Sequence, residues 1–544
     1  QYTNVEALGV DASVSGSPTF SPLIVAKNGT LNFNGVAAGP ANGADIGGEK
    51  WIHISGSGYN GQGALMDSGN NQEPNGAFCN LYFDGDATIR MGSTRCDQHF
   101  ISGSQEQVDG NGYNLTFTGG GALFFLSQAD GDTHLGNIDV ASTNGGRLAF
   151  QGGPDALGIT TDYLTVEPGA EVTFYNFSNN LDTAYLGVQK TVWLKGNATI
   201  DSAGNQGAES NNFDGPIFLT GTNLIGARYD MHVWGSIMDS NGPGGLILGN
   251  DSVGASSAAA GLWLDGTNTY SGLTVISNST LHVGTNSSLG LSTYVQVNSG
   301  ATLDLSATPV YNFGTVQTNQ TMAGNGTVNG PAGGNLNFNA GGTLAIGLPT
   351  TNGIPNTNTF TLTISNNVVF NGGSTDYVVA NKKSAAAGAV PVDKLIGPAS
   401  LTLGGTVVVT NYGTNFVAGD TLALFSATAI ATNSGFNVVP ATPGNNLAWN
   451  ISSIPLNGTL GVVSTVTVNP NPTNIVFSIS GNQLTLSWPA DHTGWELEIQ
   501  TNSVAVGIST NWVAYPASTS VDSISFPINL ANGTVFYRLV YPPQ

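Results

Sequence analysis

SNSTLHVGTNSSLGLSTYVQVNSGATLDLS, Ser277 to Ser306, states one phrase twice: STLHV, then ATLDL, with Leu281 and Leu303 22 positions apart. Leu281 and Val283 alternate with His282, and Leu303 and Leu305 with Asp304, which is the period of a strand with one buried face. Between the phrases lie Asn-Ser and Ser-Gly steps, which supply positive φ and side-chain-to-backbone hydrogen bonds where a chain bends sharply. A repeat in the low twenties, made of short strands and turns with no helix between them, is the pattern of a parallel β-solenoid. In such a coil equivalent strands stack at ~4.8 Å and bury a continuous apolar column. The expectation is that Leu281 lies over Leu303, with Val283 and Leu305 also facing inward.

The phrase recurs as GTLNF at Gly29, GTLAI at Gly342 and GTLGV at Gly458, which adds Leu344 and Ile346 to the expected core positions. Residues 1–244 keep the strand-turn rhythm without an overt repeat, in FTGGGALFFLSQ, VEPGAEVTFYNFS and KTVWLKGNATIDS. Two small-residue runs, Ala255 to Ala260 and Ser384 to Ala389, read as excursions from the coil. Composition changes at VNPNPTNI, Val468 to Ile475, whose polar-proline steps read as a linker. Beyond it, QLTLSWPADHTGWELEIQTNS and VFYRLVYP give strands of similar length, with Trp488, Trp495, Trp512, Phe536 and Tyr537 to fill a small core. The expected fold is therefore all-β: a right-handed parallel β-solenoid, irregular over 1–244 and repetitive over 245–469, then a β-sandwich over 470–544.

Composition supports this class. Only 8% of the 544 residues are charged, so Asn, Thr, Ser and Gly must carry the solubility, and the 75 glycines exceed ordinary usage of ~7%. A net charge of −22 repels phosphate backbones and anionic lipid, which argues against nucleic-acid partners. No run of about 18 apolar residues points to a membrane-spanning helix. Gln1 opens directly in polar, strand-like sequence, as expected of an exported product whose signal has been removed. Cys79 and Cys96 enclose one hairpin-sized segment. A disulfide between them is the preferred reading, stabilising by roughly 3 kcal/mol, and two buried thiols are the alternative. No C-x-x-C spacing suggests zinc or redox chemistry.

GGLILGN followed by GLWLDGTNTYSGLTVISNSTLHVG resembles the autotransporter-associated β-strand repeat of secreted bacterial proteins, most clearly in Thr267 to Thr274 and Ser279 to Gly284. MAGNGTVNG, GGTLAIG, DKLIGPASLTLGGTVVVTN and FVAGDTLALFSA resemble the regions that follow such repeats. The resemblance implies a passenger-type β-helix displayed at the cell surface or outside the cell, usually for adhesion or matrix formation. The pattern departs from true autotransporters in that no ten-residue lipid-facing strands with aromatic girdles, enough for an outer-membrane barrel, follow residue 470.

Catalytic chemistry finds little purchase. Parallel β-helices can host polysaccharide lyases and hydrolases, and the nearest carboxylate pairs are Asp84 with Asp86 and Asp130 with Asp132. Both are Asp-Gly-Asp, which suits solvated turns or loose calcium binding better than two acids opposed across a groove. GSGYNG, Gly56 to Gly61, fits G-x-G-x-x-G but lacks the following helix that would hold a pyrophosphate, so it reads as a glycine-rich turn. His53, His99, His134, His232, His282 and His492 show no metal-ligand spacing and read as outward strand residues. No catalytic, cofactor or metal residues are therefore assigned. Asn28-Gly-Thr and Asn114-Leu-Thr are glycosylation sequons of a kind that an Asn/Thr-rich chain produces by chance.

A solenoid has two ends whose unpaired backbone groups invite another strand. Caps, with the sandwich and the N-terminal part as candidates, or a neighbouring molecule must cover them. Head-to-tail contact between unlike ends propagates into a filament, and Asn and Thr ladders on flat faces permit lateral association. The functional expectation is a non-enzymatic extracellular structural protein that self-associates into a fibre, sheath or adhesive matrix. Cell-surface or matrix polysaccharide is a further partner class, and the alternative is a carbohydrate-binding or polysaccharide-degrading β-helix.

Overall fold

The computed structural model describes residues 22–34, 51–69, 80–92, 95–98, 108–121, 123–127, 133–151, 154–175, 187–203, 210–249, 260–314, 319–347 and 357–541. Four long parallel sheets form the walls of a coil. Sheet 1 has twelve strands, from Leu23–Ile24 to Ile237–Asp239; sheet 2 has fourteen, from Cys96–Gln98 to Asn437–Val439. Sheet 3 has nine, from Ser210–Phe213 to Phe425–Ser426; sheet 4 has five, from Val310–Phe313 to Ala429–Thr432. Between residues 115 and 203 successive strands alternate between sheets 1 and 2, and from residue 210 each turn also visits sheet 3.

Where sheet 1 ends, the third wall continues without regular strands. The amides of Thr269 and Tyr270 donate to the Ile237 carbonyl, and Leu291 donates to that of Tyr270, until Val310–Phe313 begins sheet 4. Sheet 2 runs unbroken across residue 244.

The two opening phrases are adjacent turns of sheet 3. Thr280, Leu281 and His282 stand opposite Thr302, Leu303 and Asp304, and the next turn adds Thr327 and Val328. Leu281, Val283, Leu303 and Leu305 are all at most 2% exposed. Leu344 and Ile346 are buried too, but in sheet 2, where Leu344 follows Met322. GTLGV belongs to neither column, since its strand Thr459–Ser464 is antiparallel. The phrase thus encodes a turn followed by a half-buried strand, and any wall of the coil can use it.

Outward positions also stack in register. Thr321, Thr343, Thr375 and Thr406 form one ladder on sheet 2. On sheet 4, Asn337 Nδ2 donates to Asn312 Oδ1 and Asn371 Nδ2 to Asn339 Oδ1, both at 2.8 Å. Small-residue run 384–389 is exposed throughout, and it is anchored by the buried Lys382–Asp420 ion pair at 2.6 Å. Of the earlier run, only Ala260 lies among the described residues.

The C-terminal end of the coil is capped, and not by the sandwich. Strands Thr421–Ala423, Thr459–Ser464 and Leu447–Asn450 make an antiparallel sheet, and the helical turn Ile454–Asn457 buries Ile454. Gly458 ends that turn in the left-handed region at φ 72°, where a Cβ would come within 2.0 Å of the Phe425 carbonyl oxygen. The antiparallel pairing breaks the parallel stack, so the next turn of coil has no template there.

Residues 475–541 form two three-stranded antiparallel sheets around Leu486, Trp488 and Leu497, with Tyr515, Phe526, Tyr537 and Leu539 packed against them. Trp512 is not in this core: strand alternation turns Tyr537 inward and Arg538 outward, and the Arg538 guanidinium covers the Trp512 ring at 4.4 Å. Phe536 likewise stays outside the buried cluster. The proline-rich segment is docked: Asn469 N donates to the Asp491 carbonyl at 2.7 Å, and Trp495 Nε1 to the Asn469 carbonyl at 2.9 Å. Trp495→Phe should therefore cost about 1 kcal/mol and speed proteolysis near residue 469, read as the cleavage rate under limiting protease.

Candidate functional site

Strands Asp230–Val233, Gly261–Leu264, Thr280–Val283 and Thr302–Asp304 are consecutive in sheet 3. Met231, Leu262, Leu281 and Leu303 point into the core, so the residues that follow them, His232, Trp263, His282 and Asp304, point out. Parallel in-register pairing places like positions one strand spacing apart, ~4.8 Å, which is also ring-stacking distance. The His232 and Trp263 ring centroids are 4.7 Å apart and those of Trp263 and His282 4.1 Å, with planes tilted by 13° and 9°. Trp234 lies nearly parallel to His232, 5.9 Å away, and is 52% exposed.

Carboxylates set the imidazoles. His232 Nδ1 is 3.3 Å from Asp265 Oδ2, and His282 Nδ1 is 2.9 Å from Asp304 Oδ2. An ionised carboxylate only accepts, so Nδ1 is the donor on each ring and the contact fixes the ring's orientation. Burial raises the Asp304 pKa, but hydrogen bonds from the Ser306 side chain and amide, together with His282, outweigh it and hold the group below the usual carboxylate value. The strip offers one half-exposed indole, Trp234, and two imidazoles oriented by carboxylates. It can bind; it contains no nucleophile beside a general base.

The pairing of histidine with aspartate is general. All five described histidines keep Nδ1 within 3.4 Å of an aspartate oxygen. His53, His232 and His282 are outward strand residues, as their alternation implies. His134 is instead in a turn at φ 49°, and His492 is buried in the turn Ala490–His492, so neither fits the strand reading. His99 lies outside the described residues.

Asp84 and Asp86 do not act as a pair. Asp84 contacts His53 Nδ1 at 3.1 Å while Asp86 accepts from the Asn114 amide at 2.9 Å, so each carboxylate serves a different neighbour on the exposed middle of strand Asn80–Met91. Asp130 and Asp132 lie outside the described residues. Among the described residues no group of three or more His, Cys, Asp or Glu side chains could hold a metal ion. GSGYNG forms a tight 3-10 turn over Tyr59–Gly61 with no helix beyond it, and a Cβ on Gly58 would meet the Gly63 carbonyl at 1.8 Å. Cys96 is buried on strand Cys96–Gln98; Cys79 is outside the described residues.

Sequence reasoning missed Trp234, Trp263 and the histidine-aspartate contacts. The signal was present: aligning Leu281 with Leu303 sets His282 against Asp304, and aligning GLWLDG one turn earlier sets Trp263 against His282.

Comparisons with known proteins come to a distant likeness. No protein-family model and no solved structure matches the chain. The chain is 25% identical over 332 residues, 58% of its length, to the adhesin BmaC autotransporter of Brucella suis biovar 1 (strain 1330), of which it spans 9%. It is an all-β protein of parallel coiled sheets that bears a weak similarity to part of an autotransporter adhesin.

Proposed function

We propose that this protein acts outside the cell or at its surface as a non-enzymatic structural adhesive, displaying the long walls of its solenoid. The carrying observation is that the outward positions form in-register ladders of Thr, Asn and stacked rings along the coil. The partial similarity to an adhesin supports this reading. Self-association is assigned to the side walls, where the Asn and Thr ladders lie, because the antiparallel cap occupies the C-terminal end.

Adsorption of the purified protein to abiotic and polysaccharide-coated surfaces, with electron microscopy of the same material, tests the reading. Retention on at least one surface with lateral rafts or sheets is expected. Release of reducing ends or unsaturated sugars from a polysaccharide panel would instead establish the enzymatic alternative.

A further inference from the structure

We propose that the open side of the C-terminal sandwich receives residues 8–14 of a second copy of this chain as an added strand, joining subunits end to end. This contact goes beyond the lateral association assigned to the coil walls and does not depend on it.

The sandwich has an uncovered side. One sheet has the order Val476–Ser480, Gln483–Ser487, Ser523–Pro527, and the other Val513–Ala514, Glu496–Asn502, Thr534–Val540. Among the described residues Val476–Ser480 pairs only with Gln483–Ser487, and Thr534–Val540 only with Glu496–Asn502, so each has one free edge. Register sets Phe477 opposite Leu486 and Ile479 opposite Leu484, on the core face of their sheet. Leu486 is buried, yet Phe477 is 68% exposed and Ile479 61%. Beside them a cavity of about 370 Å³ opens between the sheets, lined by Ile479, Leu484 and Phe526 from one and by Val535 and Tyr537 from the other, with Leu530 in the loop between. Both free edge strands therefore border one apolar slot.

Those edges decide what fills it. A small apolar molecule would cover Ile479 but leave the edge donors and acceptors of Thr534–Val540 unpaired, whereas an extended chain meets both needs. Residues 8–14, LGVDASV, carry the required pattern: Leu8, Val10, Ala12 and Val14 alternate with Gly9, Asp11 and Ser13, over the same seven residues as the strand they would extend. With its apolar side inward, the segment turns its one charge, Asp11, to the outer face, where Thr534–Val540 carries Arg538. Charge thus favours the same orientation as burial.

The donor must come from another molecule. Residues 15–22 link the segment to the first strand at Leu23 and span at most roughly 30 Å, while the coil runs eight strand spacings along sheet 1 and seven more along sheet 2, roughly 72 Å, before the cap. A segment at one end and its site beyond the other make a heterologous contact, which propagates into an open string of subunits. The cap stops coil from stacking on coil, and the sandwich offers a contact that needs no bare coil end.

Fluorescence anisotropy of a labelled peptide of residues 1–16, titrated with the chain lacking residues 1–14, tests the proposal alongside electron microscopy of the parent and truncated proteins. Saturable binding of the peptide is expected, together with end-to-end strings of the parent that truncation abolishes. Ile479→Glu in the truncated chain should weaken peptide binding at least about tenfold, and so should Val10→Asp in the peptide. Thermal melting of Ile479→Glu should match that of the truncated parent, because the side chain is mostly in solvent. No peptide binding, undiminished binding by Ile479→Glu, or strings that survive truncation overturns the proposal. Strings that survive truncation and are lost only in Ile479→Glu would identify the sandwich edge of a second copy as the occupant, which overturns it equally.

Discussion

Asp376→Asn is expected to stabilise the coil at pH 8 and to have little effect at pH 4. Alternation in strand Thr375–Ala380 places Asp376 with Val378 and Ala380 on the inner face, between Leu344 and Val407 of the neighbouring turns. It is 1% exposed, and neither carboxyl oxygen has a hydrogen-bond partner. Burial, reinforced by the charge of Asp393, pushes its pKa up to about 7. Asp393 is itself raised to about 6 by burial, against the pull of the Phe360 and Val379 amides that donate to it at 2.8 Å.

A folded-state pKa above the unfolded value of ~3.9 means that the folded chain holds a proton the unfolded chain has lost. The stabilisation is therefore complete below about pH 4, falls as pH rises, and is gone above about 7. For Asp376 the difference is on the order of 4 kcal/mol. The readout is amide hydrogen exchange in strands Thr375–Ala380 and Thr406–Asn411, corrected for intrinsic pH dependence. The parent should lose protection between pH 5 and pH 8, by up to about a thousandfold if opening exposes the carboxyl fully. The Asn variant should keep most of it. Equal pH profiles for the two proteins would show that this carboxyl does not ionise in the core.

Lys190→Met is expected to destabilise the N-terminal half of the coil by about 1–3 kcal/mol. The ammonium group is 1% exposed and donates to the carbonyls of Gly136 at 2.8 Å and Ile159 at 2.5 Å, with Leu135 at 3.4 Å. One side chain thereby satisfies carbonyls contributed by two earlier turns. Methionine matches the length of the chain but removes the donor to the Gly136 carbonyl in a region closed to water, while the Leu135 and Ile159 carbonyls keep the Ile159 and Asp162 amides. Because each turn contacts mainly its neighbours, the loss should be local. Hydrogen exchange should accelerate around residues 135–195, while urea unfolding of the sandwich, followed through Trp488 and Trp495, stays unchanged. Uniform loosening of both regions would contradict a local role.

These two residues also mark where sequence reading stops. Alternation through Leu281, Val283, Leu303 and Leu305 carries the strand period directly, because a single apolar face needs no knowledge of its partner. In strand Thr375–Ala380 the structure puts Asp376 on the inner face, where a carboxylate contradicts the apolar rule, and only the surrounding walls show that it is sealed without a hydrogen-bond partner. Lys190 opens KTVWLKGNATIDS as an ordinary polar residue; its role depends on carbonyls 31 to 55 positions away. The stacked-ring strip of sheet 3 is intermediate. Its members follow from register once the turns are aligned, but turns of unequal length hide that register outside the 277–306 stretch. The antiparallel cap was invisible because GTLGV reads like any other turn of the coil.

The stacking itself is open to a direct distance measurement. Spin labels on Thr199→Cys and Thr406→Cys, in a background with Cys79 and Cys96 replaced by Ala, lie on strands of sheet 2 separated by eight strand spacings. At ~4.8 Å per spacing, double electron-electron resonance should give one narrow distribution near 38 Å, widened only by the label arms. A much shorter distance, or a broad distribution without a peak, would mean that the turns do not stack one upon the next, and the solenoid and every surface assigned to it would fall together.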